Sequence, residues 1–393
     1  MKSWVEVSES RLRDNVTAIR AAAGENANVL AVIKADGYGH GAELVAPVLV
    51  DAGVAWLGVG DVDEGARVRR ALGTHDAHVL VMCGIESADA DRIAEHRLTP
   101  VIWTPSHVET VEAAAERAGR WVAVHLEIDS GMARQGAAPG AELERVVAAL
   151  HRSRWLRLEG VFSHLSSSEV RQGERTAAQF ERLQEALGTI CEGDLMPELL
   201  HLANSSALDE GSTTEWMQRV ADDISATVLV RPGLALYGYC LPIEEENGGG
   251  LSAASGSSGK LCRRIQPVLT WKARILATRE IAPGEAVGYG ATFIADRPMR
   301  LALLPIGYAD GFRREASSGI GNGWVMIAGR RAPVVGRVSM NLTVVDVTEV
   351  AEAVEGTEVK LLGEGVTAED HARWCGTIPY EILCGIRALR RLI

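Results

Sequence analysis

Positive charge is scarce in this sequence. It carries 40 Lys and Arg against 52 Asp and Glu, a net charge of −12, which argues against nucleic acid or an anionic membrane as a partner. Long apolar runs are missing as well. None approaches the ~18 residues that a membrane-spanning helix needs, and the N-terminus "MKSWVEVSES" has neither the basic region nor the apolar core of a signal peptide. A cytoplasmic location is the expectation. The six cysteines, at 83, 191, 240, 262, 375 and 384, show no CxxC pair and no zinc-like spacing, so they read as reduced, mostly buried residues with no metal to hold. There is no internal repeat. What the chain does have is length and apolar mass. At 393 residues and 47% hydrophobic it exceeds one ordinary domain, and two domains are expected.

Over residues 1–242 short apolar runs alternate with segments of helical period. "VLAVI" (29–33) is followed by "VAWLGV" (54–59), "HVLVM" (78–82), "LTPVIW" (98–103), "WVAVHLEID" (121–129), "RLEGVFSHL" (157–165), "PELLHLANSS" (197–206) and "TVLVRPGLALYG" (227–238), eight strands in all. Stretches such as "HVETVEAAAERAGR" (107–120) and "RTAAQFERLQEALGTI" (175–190) lie between them, apolar at every third or fourth place. This spacing fits a (β/α)8 barrel better than an open sheet. Residues 243–260, "IEEENGGGLSAASGSSGK", have little to pack and read as an exposed, mobile insertion. From 261 to 393 helices become scarce, and runs such as "MRLALLPIGY" and "LTVVDVTEV" alternate apolar and polar residues between glycines, as in a mainly antiparallel β domain. The first few residues of the chain are candidates to pack with that second domain.

Catalytic groups of such barrels sit at the carboxyl ends of the strands. The first strand ends in Lys34, followed by a loop with glycines at 37, 39 and 41 and by Tyr38. The fifth ends in "HLEIDSGMARQG" with Arg134, the sixth in "FSHLSS" with His164, the seventh in "HLANSS" with His201, Asn204 and Ser205, and the eighth in "VRPGLALYG" with Arg231 beside Gly233. Each has an ordinary explanation as a surface charge, a core histidine or a turn. Together they ring one mouth suited to an anion. Backbone N–H groups beside Gly233 and the hydroxyls of Ser205 and Tyr380 suit a phosphate. A phosphate, an arginine and a lysine that loses basicity in a dry pocket suggest a pyridoxal phosphate Schiff base.

The chain resembles the alanine racemases over nearly its whole length. "AVIKADGYGHGA", "DSGMARQG", "HLANSSA", "VRPGLALYG", "VGYGATF" (287–293), "LPIGYADGF" (304–312), "GRVSMN" (336–341) and "IPYEILC" (378–384) are similar to that family's motifs and stand in its order. The resemblance implies a pyridoxal phosphate enzyme that interconverts L- and D-alanine and supplies D-alanine for peptidoglycan. It implies Lys34 as cofactor lysine and one base, and Tyr289 as the second base on the opposite face of the α-carbon, reaching the site from the partner subunit of a head-to-tail homodimer. It further implies Arg231 at the pyridine nitrogen, and His164 beside the ring. Tyr38, Asn204, Ser205, Gly233, Leu234 and Tyr380 are then cofactor-binding, the phosphate falling to all of these but Asn204. Arg134 and Met340 go to the substrate carboxylate, and His201, Tyr308 and Asn341 to supporting roles.

Two positions depart from the family pattern. Glu127 stands where some members carry a carbamylated lysine, and Asn341 where most carry aspartate. Strand alternation puts His125, Glu127 and Asp129 on one face, so Glu127 is expected to meet Arg134 as a ready-made carboxylate. The alternatives are a racemase of broader range, for example one acting on serine, a related D-amino-acid aldolase or dehydratase with a metal on His371 and Cys375, and a pyridoxal phosphate carrier. The carrier lacks a β domain, so residues 265–393 and Tyr289 argue against it.

Overall fold

The computed structural model describes residues 2–171, 173–245, 259–387 and 391–393. They fall into two compact units, Ser10–Gly37 with Ala42–Gln266, and Met1–Glu9 with Tyr38–Gly41 and Pro267–Ile393. Among the described residues no helix is long and apolar enough to cross a membrane.

The first unit is a closed barrel of eight parallel strands: Ala27–Val32, Trp56–Val59, His78–Val81, Thr99–Ile102, Val122–Glu127, Leu156–Phe162, Leu199–His201 and Thr227–Val230, the last pairing with the first. Leu30, Leu57, Leu80, Val101, Leu126, Val161, Leu200 and Leu229 are fully buried, as expected of strands covered on both faces. Local signals set the helices between them. Thr104 caps Pro105–Ala118 by accepting from His107 N, Pro105 takes the first turn, and Gly119 ends the helix in a left-handed conformation. Several strands stop earlier than their apolar runs suggest. The sixth ends at Phe162 and the eighth at Val230, which leaves His164 and Arg231 on the loops above the strand ends.

The boundary at 261 moves to Pro267. Asn15, fully buried in helix Glu9–Ala23, donates to the carbonyls of Leu236 and Gln266 at 2.9 Å and accepts from Gln266 N at 2.8 Å, which ties the approach to residue 266 onto the barrel. Of the expected insertion, Glu244–Glu245 pairs in parallel with Val170–Arg171. Residues 246–258 lie outside the described residues, so the expectation of a mobile segment there is not addressed.

The second unit is mainly antiparallel. Its six-stranded sheet runs Arg330–Pro333, Trp324–Ile327, Glu358–Leu362, Leu269–Arg274, Ser3–Val7, Arg391–Leu392, so the first strand of the chain is an interior strand of this sheet, antiparallel to Leu269–Arg274. A three-stranded sheet, Ala277–Ile281, Met299–Leu304 and Thr343–Asp346, stands beside a short pair, Ala286–Val287 and Phe293–Ile294. Val287, Met299, Leu301 and Val335 form a core cluster of this region. Helix Ala368–Cys375 begins with a capping box between Thr367 and Asp370.

Candidate active site

Lys34 leaves the first strand into a left-handed turn. Ala35, Asp36 and Gly37 have φ of 53°, 55° and 62° with ψ between 40° and 49°. Only the third is a glycine. A side chain in this region costs about 1–2 kcal/mol, so the turn persists only because its surroundings hold it. Asp36 Oδ1 accepts from Ala42 N at 2.9 Å, Asp36 N donates to Glu64 Oε1 at 2.9 Å, and Glu64 Oε2 accepts from Gly60 N at 2.8 Å. Gly37 N donates back to Ile33 O at 2.7 Å. Strained backbone kept in place by two buried or half-buried carboxylates fixes where the half-buried Lys34 side chain starts. Its Nζ lies 3.9 Å from Cys83 Sγ.

Arg231, 2% exposed, is the centre of the polar interior. Its Nη2 donates to Ser163 O at 2.8 Å, to His164 Nδ1 at 3.1 Å and to Leu202 O at 3.2 Å, and its Nη1 faces His201 Nδ1 at 3.3 Å. The guanidinium also lies over the Phe162 ring, 5.0 Å from its centre. A guanidinium only donates, so both Nδ1 atoms accept and the proton of each imidazole is on Nε2. His201 Nε2 then donates to His125 Nδ1 at 2.9 Å, and His125 Nε2 lies 3.4 Å from Glu159 Oε2. Burial holds these histidines neutral. It takes His164 down to about 3, helped by the charges of Arg231, Arg134 and Lys34, pushes His201 well below its ordinary value and lowers His125. Burial also lowers Arg231 to about 10, partly offset by Glu127, which leaves it charged at neutral pH. Gly160 makes room for this chain, since a Cβ there would sit 2.7 Å from His125 Nδ1.

The expected Glu127 to Arg134 contact is not formed. Glu127, 2% exposed, instead takes a short hydrogen bond from Gln135 Nε2, which also donates to Met82 O at 2.9 Å. No ion pair within 4.0 Å joins Glu127 to Arg134 among the described residues. The physical reason is the loop that follows. Asp129 Oδ1 accepts from the N–H groups of Gly131, Met132 and Ala133, each at 3.0 Å, and this tight turn leaves Arg134 exposed while Gln135 points inward. Burial raises the Glu127 pKa, opposed by Gln135 and by the more distant Arg231, Arg134 and Lys34.

At the loops after strands seven and eight, Ser205 Oγ accepts from Gly233 N at 3.0 Å and Ala235 N at 3.1 Å. With both acceptor positions used, the hydroxyl has its O–H left to donate, which fits a phosphate oxygen. Leu234 opens the 3₁₀ turn Leu234–Tyr237. Asn204 plays a structural part. Its Oδ1 caps helix Ser205–Glu210 through Ala207 N at 3.0 Å, and its Nδ2 donates to Ser168 Oγ at 2.9 Å. The field of Lys34, Arg134 and Arg231 that depresses His164 suits a dianionic ligand at this mouth, and the donor set fits pyridoxal phosphate.

The remaining candidates belong to the second unit. The rings of Tyr38 and Tyr380 lie 5.8 Å apart, which brings two expected phosphate ligands together. Tyr308 N donates to Ser339 O and Ala309 N to Met340 O, at 3.1 and 3.0 Å, so Tyr308, Met340 and Asn341 form one group. Asn341 Nδ2 lies 3.4 Å from Asp310 Oδ2, a carboxylate also held by Lys2. An aspartate at 341 would set two carboxylates side by side, whereas the amide donates. Tyr289, 69% exposed, sits in the one-turn segment Tyr289–Ala291.

Residues 7–241 match the family described as "Alanine racemase, N-terminal domain", and residues 268–392 match "Alanine racemase, C-terminal domain". The chain belongs to the alanine racemase family. It is an isomerase, an amino-acid racemase. It is 34% identical over 388 residues to the alanine racemase of Syntrophobacter fumaroxidans, covering 98% of this chain and 95% of that one. It superposes with a TM-score of 0.86 on the alanine racemase of Streptomyces coelicolor, 33% identical, covering 100% and 97% of the two chains. A further likeness, at 27% identity, TM-score 0.84 and coverage of 100% and 95%, is to the alanine racemase of Bacillus anthracis, solved with bound L-Ala-P.

His371 Nε2 is bonded to Leu361 O at 2.9 Å, burial brings its pKa to about 4, and neither it nor Cys375 belongs to a cluster of three or more metal-ligating groups among the described residues. Residues not foreseen as parts of the site are Gln135, Glu159, Cys83 and Asp36. Asp36 and Gln135 had a signal in the motifs around Lys34 and Arg134, but Glu159 and Cys83 meet their partners only through space.

Proposed function

We propose that this enzyme interconverts L-alanine and D-alanine with pyridoxal phosphate held on Lys34 and with Lys34 and Tyr289 as the two bases. Pyridoxal phosphate held there would supply an electron sink for negative charge developing at the substrate α-carbon. Lys34 Nζ takes or returns that proton on one face, and Tyr289 Oη on the other, as inversion requires. Ser205 and the backbone of Gly233 and Leu234, with Tyr38 and Tyr380, hold the phosphate. Arg134 and the backbone of Met340 receive the substrate carboxylate, and Arg231 faces the pyridine nitrogen.

The observation that carries this reading is the buried, charged Arg231 backed by neutral imidazoles. Arg231 would donate a hydrogen bond to the pyridine nitrogen and keep its own proton, since a guanidinium is a very weak acid. A pyridine nitrogen left unprotonated would keep the sink weak and favour proton exchange at the α-carbon over transamination or elimination. We further propose that the active unit is a head-to-tail dimer in which each mouth receives Tyr289 from the other copy, and that the product D-alanine serves peptidoglycan synthesis. Incubation of the pure enzyme with L-alanine, L-serine and L-arginine, followed by chiral analysis, tests the reading. D-alanine forms fastest under it, and Lys34→Ala forms none. Retention of activity in Lys34→Ala, or no turnover of alanine by the wild type, contradicts it.

A further inference from the structure

Three ligand-bearing side chains converge on the barrel unit away from Lys34. Asp209 lies in the helix Ser205–Glu210, Cys240 follows the turn Leu234–Tyr237, and Cys262 lies in the segment that returns toward Gln266. One carboxylate oxygen and the two sulfurs all lie within 4.8 Å of one another. Asp209 and Cys240 are buried, at 5% and 8% exposure, and Cys262 is half-buried. No disulfide joins the cysteines.

We propose that Asp209, Cys240 and Cys262 form a binding site for a thiophilic divalent cation of the zinc class. Two thiolates and a carboxylate are the donor set such an ion selects over magnesium or calcium. With metal–ligand distances of about 2.0–2.3 Å, the ligand atoms of a tetrahedral site stand somewhat closer together than the present limit, within reach of small side-chain rotations. The carboxylate is already oriented, since Asp209 Oδ1 accepts from Cys262 N at 2.8 Å and Oδ2 from Gly259 N at 3.0 Å. A ligating carboxylate held in this way by backbone donors binds with less loss of freedom. Three protein ligands leave a fourth position for water.

The location suggests what the ion does. It joins the helix that begins with Ser205 to the segment after Gly233 and Ala235, whose N–H groups Ser205 accepts, and to both flanks of residues 241–261. Metal binding therefore stiffens the loops after strands seven and eight. Nothing in the cluster depends on which ligand occupies the barrel mouth.

The test uses the full-length enzyme, reduced and freed of metal under anaerobic conditions, titrated with Co2+ and then Zn2+. Thiolate-to-cobalt charge-transfer absorption should saturate at one equivalent, Zn2+ should displace it, and Zn2+ should raise the melting temperature. Cys240→Ser and Cys262→Ser should weaken binding by at least the about 10–100-fold that follows loss of an outer partner alone, and Cys191→Ser, in helix Glu174–Glu192, should bind like the wild type. Circular dichroism establishes that each variant is folded. No charge-transfer band in the reduced wild type, or an unchanged band in Cys240→Ser and Cys262→Ser, overturns the proposal.

Discussion

Arg231 Nη2 donates to His164 Nδ1 across 3.1 Å, joining the loop after the eighth strand to the loop after the sixth. The same guanidinium faces His201 Nδ1 at 3.3 Å, so a single planar fork sets the tautomers of two imidazoles. A lysine would keep the charge and lose the fork. Arg231→Lys should lower kcat by about 100-fold while a folded barrel remains by circular dichroism. An unchanged kcat would remove Arg231 from the account.

Gly160 tests the chain behind Arg231. A methyl group at this position meets the His125 ring, which must move off His201 or force the strands apart. Gly160→Ala should destabilise the protein by about 1–3 kcal/mol in denaturant unfolding and lower kcat more than it raises KM. Alanine accepted at wild-type stability would show that the imidazole chain is not tightly placed.

The neutral histidines predict how stability depends on pH. His371, 1% exposed, has its pKa lowered to about 4 by burial, and burial also pushes fully buried His201 well below its ordinary value. Below the unfolded value of about 6.5 the unfolded chain binds protons that the native state refuses, so stability is complete above that pH and falls as pH drops. Each such histidine should contribute a slope of about 1.4 kcal/mol per pH unit, for His371 between about 6.5 and the folded value of about 4. His371→Gln can still donate to Leu361 O and should remove one proton's worth of slope. The measurement is unfolding free energy between pH 7.5 and 4.5, and an identical slope in the variant would contradict the assignment.

Much of this was legible in the sequence because it is local. Apolar runs marked the eight barrel strands, and polar residues at the ends of five of them (Lys34, Arg134, His164, Asn204 and Arg231) pointed to the mouth. What escaped depends on register and loop geometry. Strand alternation put Glu127 inside correctly, yet could not show that three N–H groups converging on Asp129 would turn Arg134 outward and Gln135 inward. His125 meets Glu159 on the neighbouring strand and His201 on the strand beyond it only because the closed barrel sets these strands side by side. The glycines after Lys34 suggested positive φ, but Ala35 and Asp36 share it, which only the tertiary hold on Asp36 explains. Cys240 and Cys262, without any motif spacing, come together when the barrel closes.

The Glu127 contact also changes an expectation about catalysis. With its bond going to Gln135 and not to Arg134, Glu127→Gln retains an acceptor and should alter the KM for alanine by less than about threefold. Gln135→Leu leaves a buried carboxylate without that donor and should cost about 1–3 kcal/mol of stability. Activity should not respond to bicarbonate, since the carboxylate is already present. A tenfold or larger rise in KM for Glu127→Gln would instead point to a direct hold on Arg134.

The most direct test of the proposed mechanism is subunit mixing. Lys34→Ala and Tyr289→Phe should each be inactive alone, and Tyr289→Phe should still carry a borohydride-reducible cofactor on Lys34 by peptide mapping. When the two variants exchange subunits, heterodimers containing one intact pair of bases should recover part of the wild-type rate of D-alanine formation. Recovery is the predicted result, and no recovery despite demonstrated exchange would contradict a composite site in which Lys34 and Tyr289 of different copies work on opposite faces of one substrate.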